Sequence, residues 1–259
     1  QLRSLYLKNS SITQIPGIEG LTQLTFLDVS GTELANLGGF ANLKSLQTLR
    51  IENTGISDLN PIAGISSLKA VYANGTALSD EAIEEFTSKS NALLITNSDQ
   101  LLAWWAELPG PLKTKLGNKM GTLNPQVEDL SAIARIDSLD ASNSGLKALS
   151  PLSRFQSSKY LSLDGNRLSE LNGAELSSKL VALSINNTDI NQLKNLSIFG
   201  NLEVLEAKNT GIGDLSPLAA LPKLRVLDLD GSNVSIEEVA SLLKRKPQLN
   251  IRFMSEKLK

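Results

Sequence analysis

The sequence predicts an α/β solenoid, a right-handed β/α superhelix built as two tandem modules with a helical cap between them. Three observations carry this. Leucine or an equivalent recurs as L-x-x-L-x-L every 22 residues, the beat ends twice in the same kind of stretch, and its register slips between those two ends. A fixed period of 20–50 residues is the mark of repeats that cannot bury their apolar faces alone and stack into one core.

The first series runs Leu2-Leu5-Leu7, Leu24-Leu27-Val29, Leu46-Leu49-Ile51 and Leu68-Val71-Ala73, and extends one step to Ser90 with Leu93-Ile95. A strand turns alternate side chains to opposite faces, so the fourth and sixth positions of each motif point inward and the third and fifth outward. Behind each strand comes a stretch such as "TGISDLNPIAGIS" or "TGIGDLSPLAALP". Its inward residues are expected at Ile56, Leu59, Ile62 and Ile65, or at Ile212, Leu215, Leu218 and Leu221. Pro61, Pro151 and Pro217 remove a backbone donor, so these backs are expected to be extended or 3₁₀ rather than long helices.

The series closes with "TALSDEAIEEFTSKSNALLIT", which reads as a helix capped by Ser79, with Ile83 and Phe86 inward. The next motif begins at Ile136, two residues beyond two full periods from Ser90, and a continuous solenoid does not slip. Residues 98–135 therefore read as three helices: "SDQLLAWWAEL" capped by Ser98, "PLKTKLGNKM" opened by Pro111, and "PQVEDLSAIARI". Their expected task is to cover the open core of the repeat that follows. Trp104 and Trp105 differ by about 100° around a helix, so one faces the core and the other a boundary.

The second series runs Ile136-Leu139-Ala141, Ser158-Leu161-Leu163, Leu180-Leu183-Ile185, Leu202-Leu205-Ala207 and Leu224-Leu227-Leu229, and extends to Lys246 with Leu249-Ile251. Its closing stretch "SNVSIEEVASLLKRKPQLNIRF" carries a capping box in Ser235 and Glu238, with Val239, Leu242 and Leu243 inward. The expected domains are residues 1–97, 98–135 and 136–259. The first module starts without a cover, so its own cap is expected upstream.

These repeats resemble the leucine-rich-repeat family. The 22-residue period with "DLSPLAAL" is similar to the bacterial internalin type and its phosphatase-regulator relatives, over residues 2–97 and 136–253. The family usually has Asn where the chain leaves the strand. Here those positions are Ser10, Thr32, Thr54, Thr76, Ser144, Asn166, Thr188, Thr210 and Ser232, and a hydroxyl caps the same turn with fewer bonds.

Composition narrows the function. Net charge is −2 with both signs mixed, which gives no footprint for nucleic acid or anionic membrane. No apolar run approaches the length of a membrane helix. Cysteine and histidine are both absent, which excludes disulfides, thiolate or imidazole metal sites and triads built on either residue. No cofactor is expected. The chain begins at Gln1 rather than Met, as a processed or trimmed chain does.

The resemblance implies partner docking on the concave strand face. In the first module the candidates are Tyr6, Lys8, Phe26, Asp28, Arg50, Glu52 and Tyr72, whose three aromatics and Arg50 are the composition enriched at protein interfaces. The second module presents Asp140, Tyr160, Asp164, Glu206, Lys208, Asp228 and Asp230, an acidic stripe. That stripe reads as a solvated face, a dock for a basic partner or a weak Ca²⁺ site. Carboxylates of neighbouring repeats, Asp140 with Asp164 and Asp228 with Glu206, have the spacing of a glycosidase pair, but a flat face lacks the pocket that raises one pKa. The reading is a non-enzymatic protein-recognition module, with a bacterial surface or secreted setting implied by the resemblance. Two alternatives stay open: a carbohydrate- or cell-wall-binding surface using Tyr6, Phe26 and Tyr72, and a cytoplasmic scaffold.

Overall fold

The computed structural model describes residues 2–172 and 176–253. The chain divides into two units, one running to Ala103 and including Gln126–Ser131, the other comprising Trp104–Pro125 and the chain from Ala132 onward. The helical stretch between the repeats is thus shared, part going to each unit.

In the first unit, five strands form one parallel sheet in chain order: β1 (Ser4–Tyr6), β2 (Phe26–Asp28), β3 (Thr48–Arg50), β4 (Ala70–Tyr72) and β5 (Leu93–Ile95). From β1 to β4 the register is the 22-residue step itself, Leu5 opposite Leu27, Leu27 opposite Leu49 and Leu49 opposite Val71. Leu27, Leu49 and Val71 lie fully buried, packed on the backs of the repeats through Ile56, Leu59, Ile62 and Ile65. Two backs are 3₁₀ turns, Ile18–Gly20 and Phe40–Asn42. The Pro61 back is one α-helical turn, α1 (Asn60–Ala63), where proline sits in the first turn and its missing N–H is not needed.

The closing helix α2 (Asp80–Lys89) has Ser79 as its N-cap, the hydroxyl accepting from Ala82 N at 3.2 Å. It buries Phe86, with Ile83 partly buried. One expectation fails after it. Strand β5 pairs Val71 with Leu94, so Leu94 enters the core and Leu93 and Ile95 turn to the other face. A helix in place of the usual turn takes one more residue, and an odd slip flips every side chain.

In the second unit, β6 (Ser138–Asp140), β7 (Tyr160–Ser162), β9 (Ala182–Ser184), β11 (Val204–Glu206), β12 (Val226–Asp228) and β13 (Asn250–Arg252) form a six-stranded parallel sheet. On the opposite side of two repeats the backs are extended and pair as β8 (Glu170–Asn172) with β10 (Gln192–Lys194). Other backs are 3₁₀, at Ser150–Leu152, Leu196–Ile198 and Ser216–Ala220. The last step pairs Leu227 with Ile251, two residues more than the period, and an even slip keeps Ile251 on the inward side.

Helix α6 (Ile236–Arg245) is capped by Ser235, which accepts from Glu238 N at 3.1 Å. The reciprocal half of the expected capping box is absent, because the Glu238 carboxylate accepts from Leu215 N in the preceding repeat instead. Val239 and Leu242 are buried, whereas Leu243, about 100° from Leu242 around the helix, is exposed.

The helices between the two leucine series are α3 (Ser98–Glu107), α4 (Gly110–Met120) and α5 (Val127–Ile133). In the second unit, Trp104 is buried with its indole N–H donating to Pro151 O at 2.8 Å and its ring edge-on to Phe155 at 5.6 Å. Trp105 is half-buried. Helix α4 buries Leu112 and Leu116 and sends Lys115 and Lys119 to the β6 repeat.

Strands β1–β4, β6, β7, β9, β11 and β12 are each left through a turn with one left-handed residue, and these too recur every 22 residues: Asn9, Gly31, Asn53 and Gly75, then Asn143, Gly165, Asn187, Asn209 and Gly231. A Cβ at Gly31 would collide with the side-chain oxygen of Asn9, and one at Gly165 with that of Asn143. The next residue caps the turn. Ser10, Thr32, Thr54, Thr76, Thr188, Thr210 and Ser232 each donate a hydroxyl to the carbonyl three residues back at 2.6–2.8 Å. Asn166 does more, accepting from Ser144 N and Leu146 N and donating to Ala141 O and Leu163 O, so it ties two repeats together.

Candidate functional site

The outward side chains of the first sheet fall into an open part and a covered part. At the β1 edge Tyr6 is exposed, its ring 5.0 Å from that of Phe26 and tilted by 36°. Lys8 is exposed, while Asp28 is buried and accepts from Ser30 N at 3.0 Å. Arg50 donates through two nitrogens to one Glu52 oxygen, at 2.9 and 2.7 Å, and lies over the Tyr72 ring at 4.4 Å.

Tyr72, expected on the open face, is buried at 6% exposure. Val127 of α5 packs against Ala70, Tyr72 and Ile95, and the Tyr72 hydroxyl donates to Glu128. Burial, then that carboxylate, push the Tyr72 phenol above its usual range. Strand periodicity gives no sign of this cover, because Gln126–Ser131 returns from far along the chain. Beside it Asn74, which spacing alone did not single out, bonds Glu52 and Ser98, and a polar cleft of about 650 Å³ opens among Arg50, Glu52, Asn74, Ser98 and Glu128.

The outward face of the second sheet lines up in three rows, because parallel pairing sets equivalent residues side by side. One row is mostly apolar: Tyr160, Ala182, Val204 and Val226. Tyr160 is 50% exposed and the other three are partly exposed. The next row holds Asp140, Ser162, Ser184, Glu206 and Asp228, and beyond it lie Asp164, Asn186, Lys208 and Asp230. The small side chains of Ser162, Ala182 and Ser184 leave a shallow hollow of about 260 Å³, walled by Tyr160, Val204 and Glu206.

The carboxylates are held in different ways. Lys115 of α4 reaches Asp140 at 2.9 Å and the Ser142 carbonyl at 2.7 Å. Burial alone would raise the Asp140 pKa, but bonds from Ser142 and the Lys115 ammonium hold it down to about 2. A carboxyl that stays ionised at neutral pH does not act as the general acid of a glycosidase pair. Asp228 is buried and paired with Lys208 at 3.1 Å and Arg252 at 3.4 Å.

Asp164 is joined to Glu206, two repeats on, through neutral groups. Its Oδ1 accepts from Ser184 Oγ at 2.6 Å and Asn186 N at 2.8 Å. The Asn186 amide also reaches Asp164 Oδ2 at 3.3 Å and Glu206 Oε2 at 3.2 Å. Asp230 and Lys208 border this network. Among the described residues no group of three or more acidic, cysteine or histidine side chains is placed to hold a metal ion, and no helix is long and apolar enough to cross a membrane.

The family model for leucine-rich repeats in two copies matches residues 22–69 and 200–242. Among solved structures the chain is similar to an internalin of Listeria monocytogenes, with 20% identity, 98% of this chain and 81% of that one covered, and a TM-score of 0.38. It is also similar to a leucine-rich-repeat protein of Leptospira interrogans, at 21% identity, 97% and 66% coverage and a TM-score of 0.40. A third likeness is to a chain of the octameric complex of Latrophilin 3, Unc5D and the leucine-rich repeats of FLRT2, at 18% identity, 98% and 84% coverage and a TM-score of 0.40. No curated protein matches the chain in sequence.

Proposed function

We propose that the chain, whose residues 22–69 and 200–242 match the family model for leucine-rich repeats, is a non-enzymatic recognition module that docks a protein on its strand faces, chiefly that of the second unit. The observation that carries this is the partly exposed row from Tyr160 to Val226 beside a shallow hollow of about 260 Å³. A hollow of that size accepts a side chain or two of a protein surface. It is smaller than the 300–1,000 Å³ clefts that engulf small molecules. An exposed tyrosine beside small residues is the composition of an interface anchor and its seat. The first unit offers Tyr6, Phe26 and Lys8 at its β1 edge as a smaller second surface.

The carbohydrate alternative keeps two of its three rings, since Tyr72 is buried with Arg50 over its face. The likeness of the repeat to the internalin type supports a bacterial surface or secreted setting.

The test is capture of surface-protein extracts on the immobilised chain, its Ser162→Arg/Ala182→Arg variant, which fills the hollow, and a Glu170→Arg control on the back strand β8. A protein held by the wild type and the control but lost from the hollow variant supports the reading. Equal capture by all three overturns it.

A further inference from the structure

We propose that the strand face of the second unit takes a basic amphipathic segment of a protein partner, its apolar side chains on the row from Tyr160 to Val226 and its lysines or arginines over Asp164 and Glu206. This rests on the reading that this face docks protein, and adds the chemistry of what docks there.

The first argument is shape. Neighbouring strands lie about 4.8 Å apart, so the four residues Tyr160, Ala182, Val204 and Val226 make an apolar rail about 14 Å long. That is long enough to seat an i, i+3, i+4, i+7 set of anchors on a helix, which spans about 10.5 Å. The chain itself shows the mode in its first unit. There the start of α5 lies on the outward side of β4 and β5, with Val127 against Ala70, Tyr72 and Ile95, and Glu128 at the Tyr72 hydroxyl beside Arg50. An apolar residue on the outward row and a charged one reaching along the face are what that sheet accepts.

The second argument is charge. In the first unit the covering segment brings an acid toward a face that carries Arg50. Arg50 is already paired with Glu52 there, so the first face carries no excess charge, whereas the second is acidic, with Asp140, Asp164, Glu206, Asp228 and Asp230 along it. Asp140 is matched by Lys115, and Asp228 by Lys208 and Arg252. Asp164 and Glu206 share only neutral donors, Ser184 and Asn186, and no ion pair to either is found among the described residues. Two carboxylates fixed by common hydrogen bonds, next to an apolar rail, are complementary to a segment with cations along one edge and apolar groups along the other. A basic partner gains their charge without displacing an existing pair.

The experiment uses two labelled 15-residue peptides read by fluorescence anisotropy: leucine and lysine in amphipathic-helical order, and the same pattern with glutamate for lysine. The lysine peptide is expected to saturate and the glutamate peptide not to bind. Asp164→Asn/Glu206→Gln is expected to weaken the lysine peptide at least tenfold, and Tyr160→Ala to weaken it as well, with Glu170→Gln on the back unchanged. Glu206→Gln alone, which disturbs only two long hydrogen bonds, guards against a double variant that fails to fold and is expected to weaken binding at least threefold. Equal affinity in wild type and the carboxylate variants, or equal binding of the glutamate peptide, overturns the proposal. If the hollow variant Ser162→Arg/Ala182→Arg still abolishes capture of a protein while the carboxylate variants change nothing, docking on this face stands and its basic specificity falls. If neither set of variants matters, both fall.

Discussion

Replacing Asn166 by Thr tests how much one side chain contributes by joining two repeats. Thr would keep the bond that the other capping hydroxyls make, here to Leu163 O. It would lose four: acceptance from Ser144 N and Leu146 N, both at 3.0 Å, donation to Ala141 O at 2.8 Å, and a long donation to Asp164 O at 3.5 Å. Ser144 and Leu146 are at most 1% exposed, so water does not readily replace the missing acceptor. Each buried donor left unmade costs about 1–3 kcal/mol. Repeats that carry Thr at this position still fold, so some relaxation is available and the expected loss is about 2–4 kcal/mol. Thr188→Ala, which removes a single hydroxyl bond, is the internal control at about 1 kcal/mol. A chain of two units need not unfold in one step, so urea melts should be paired with native-state hydrogen exchange. The amides of Ser144 and Leu146 are expected to exchange faster in Asn166→Thr. A loss no larger than that of the control, with those amides unchanged, would refute the idea that Asn166 joins the repeats.

Leu205→Ala, at a position 1% exposed, should cost about 2–5 kcal/mol in denaturant melts, and a loss under about 0.5 would contradict the inward register. Trp104→Phe should cost about 1–2 kcal/mol for the bond to Pro151 O, and Trp104→Ala about 3–5; equal losses would mean that the indole N–H contributes nothing. Asp140 has a folded pKa of about 2 against an ordinary 3.8, so its stabilisation is fully present above about 3.8 and lost as pH falls from there toward 2. The carboxylate is 65% exposed, so this stabilisation is small and weakened by salt. Wild type should melt above Asp140→Asn at pH 6 and level with it near pH 2, and a difference that does not vary with pH would contradict the assignment.

The leucines made the strand register readable, because a 22-residue period with alternating inward positions fixes both pairing and face, as Leu27 against Leu49 and Leu183 against Leu205 show. The slip at β5 was hidden in "ALLI", which is apolar on both faces and so does not define which face is inward. Burial of Tyr72 was not readable at all: Val127 and Glu128 are over 50 residues away, and periodicity within a module cannot dock a segment from outside it. The meeting of Asp164 and Glu206 depends on side-chain reach across Ser184 and Asn186, which register alone leaves open. The left-handed Asn and Gly ladder could have been found, since it lies one residue before the capping positions and keeps the same beat.

That ladder sets a rule for which repeats of such a chain can be copied. Asn at one rung is followed by Gly at the next through Asn9, Gly31, Asn53 and Gly75, and again at Asn143 and Gly165, because the amide of one repeat fills the space where a side chain of the next would stand. A repeat with a Gly rung can therefore be copied singly, because Gly beside Gly presents no Cβ to collide, whereas copying one with an Asn rung sets two Asn side chains against each other. Where two Asn rungs adjoin, at Asn187 and Asn209, the amides bond to each other at 2.9 Å, which is how a single extra repeat is reconciled. A designer lengthening this protein should duplicate a repeat with a Gly rung, or splice at that junction.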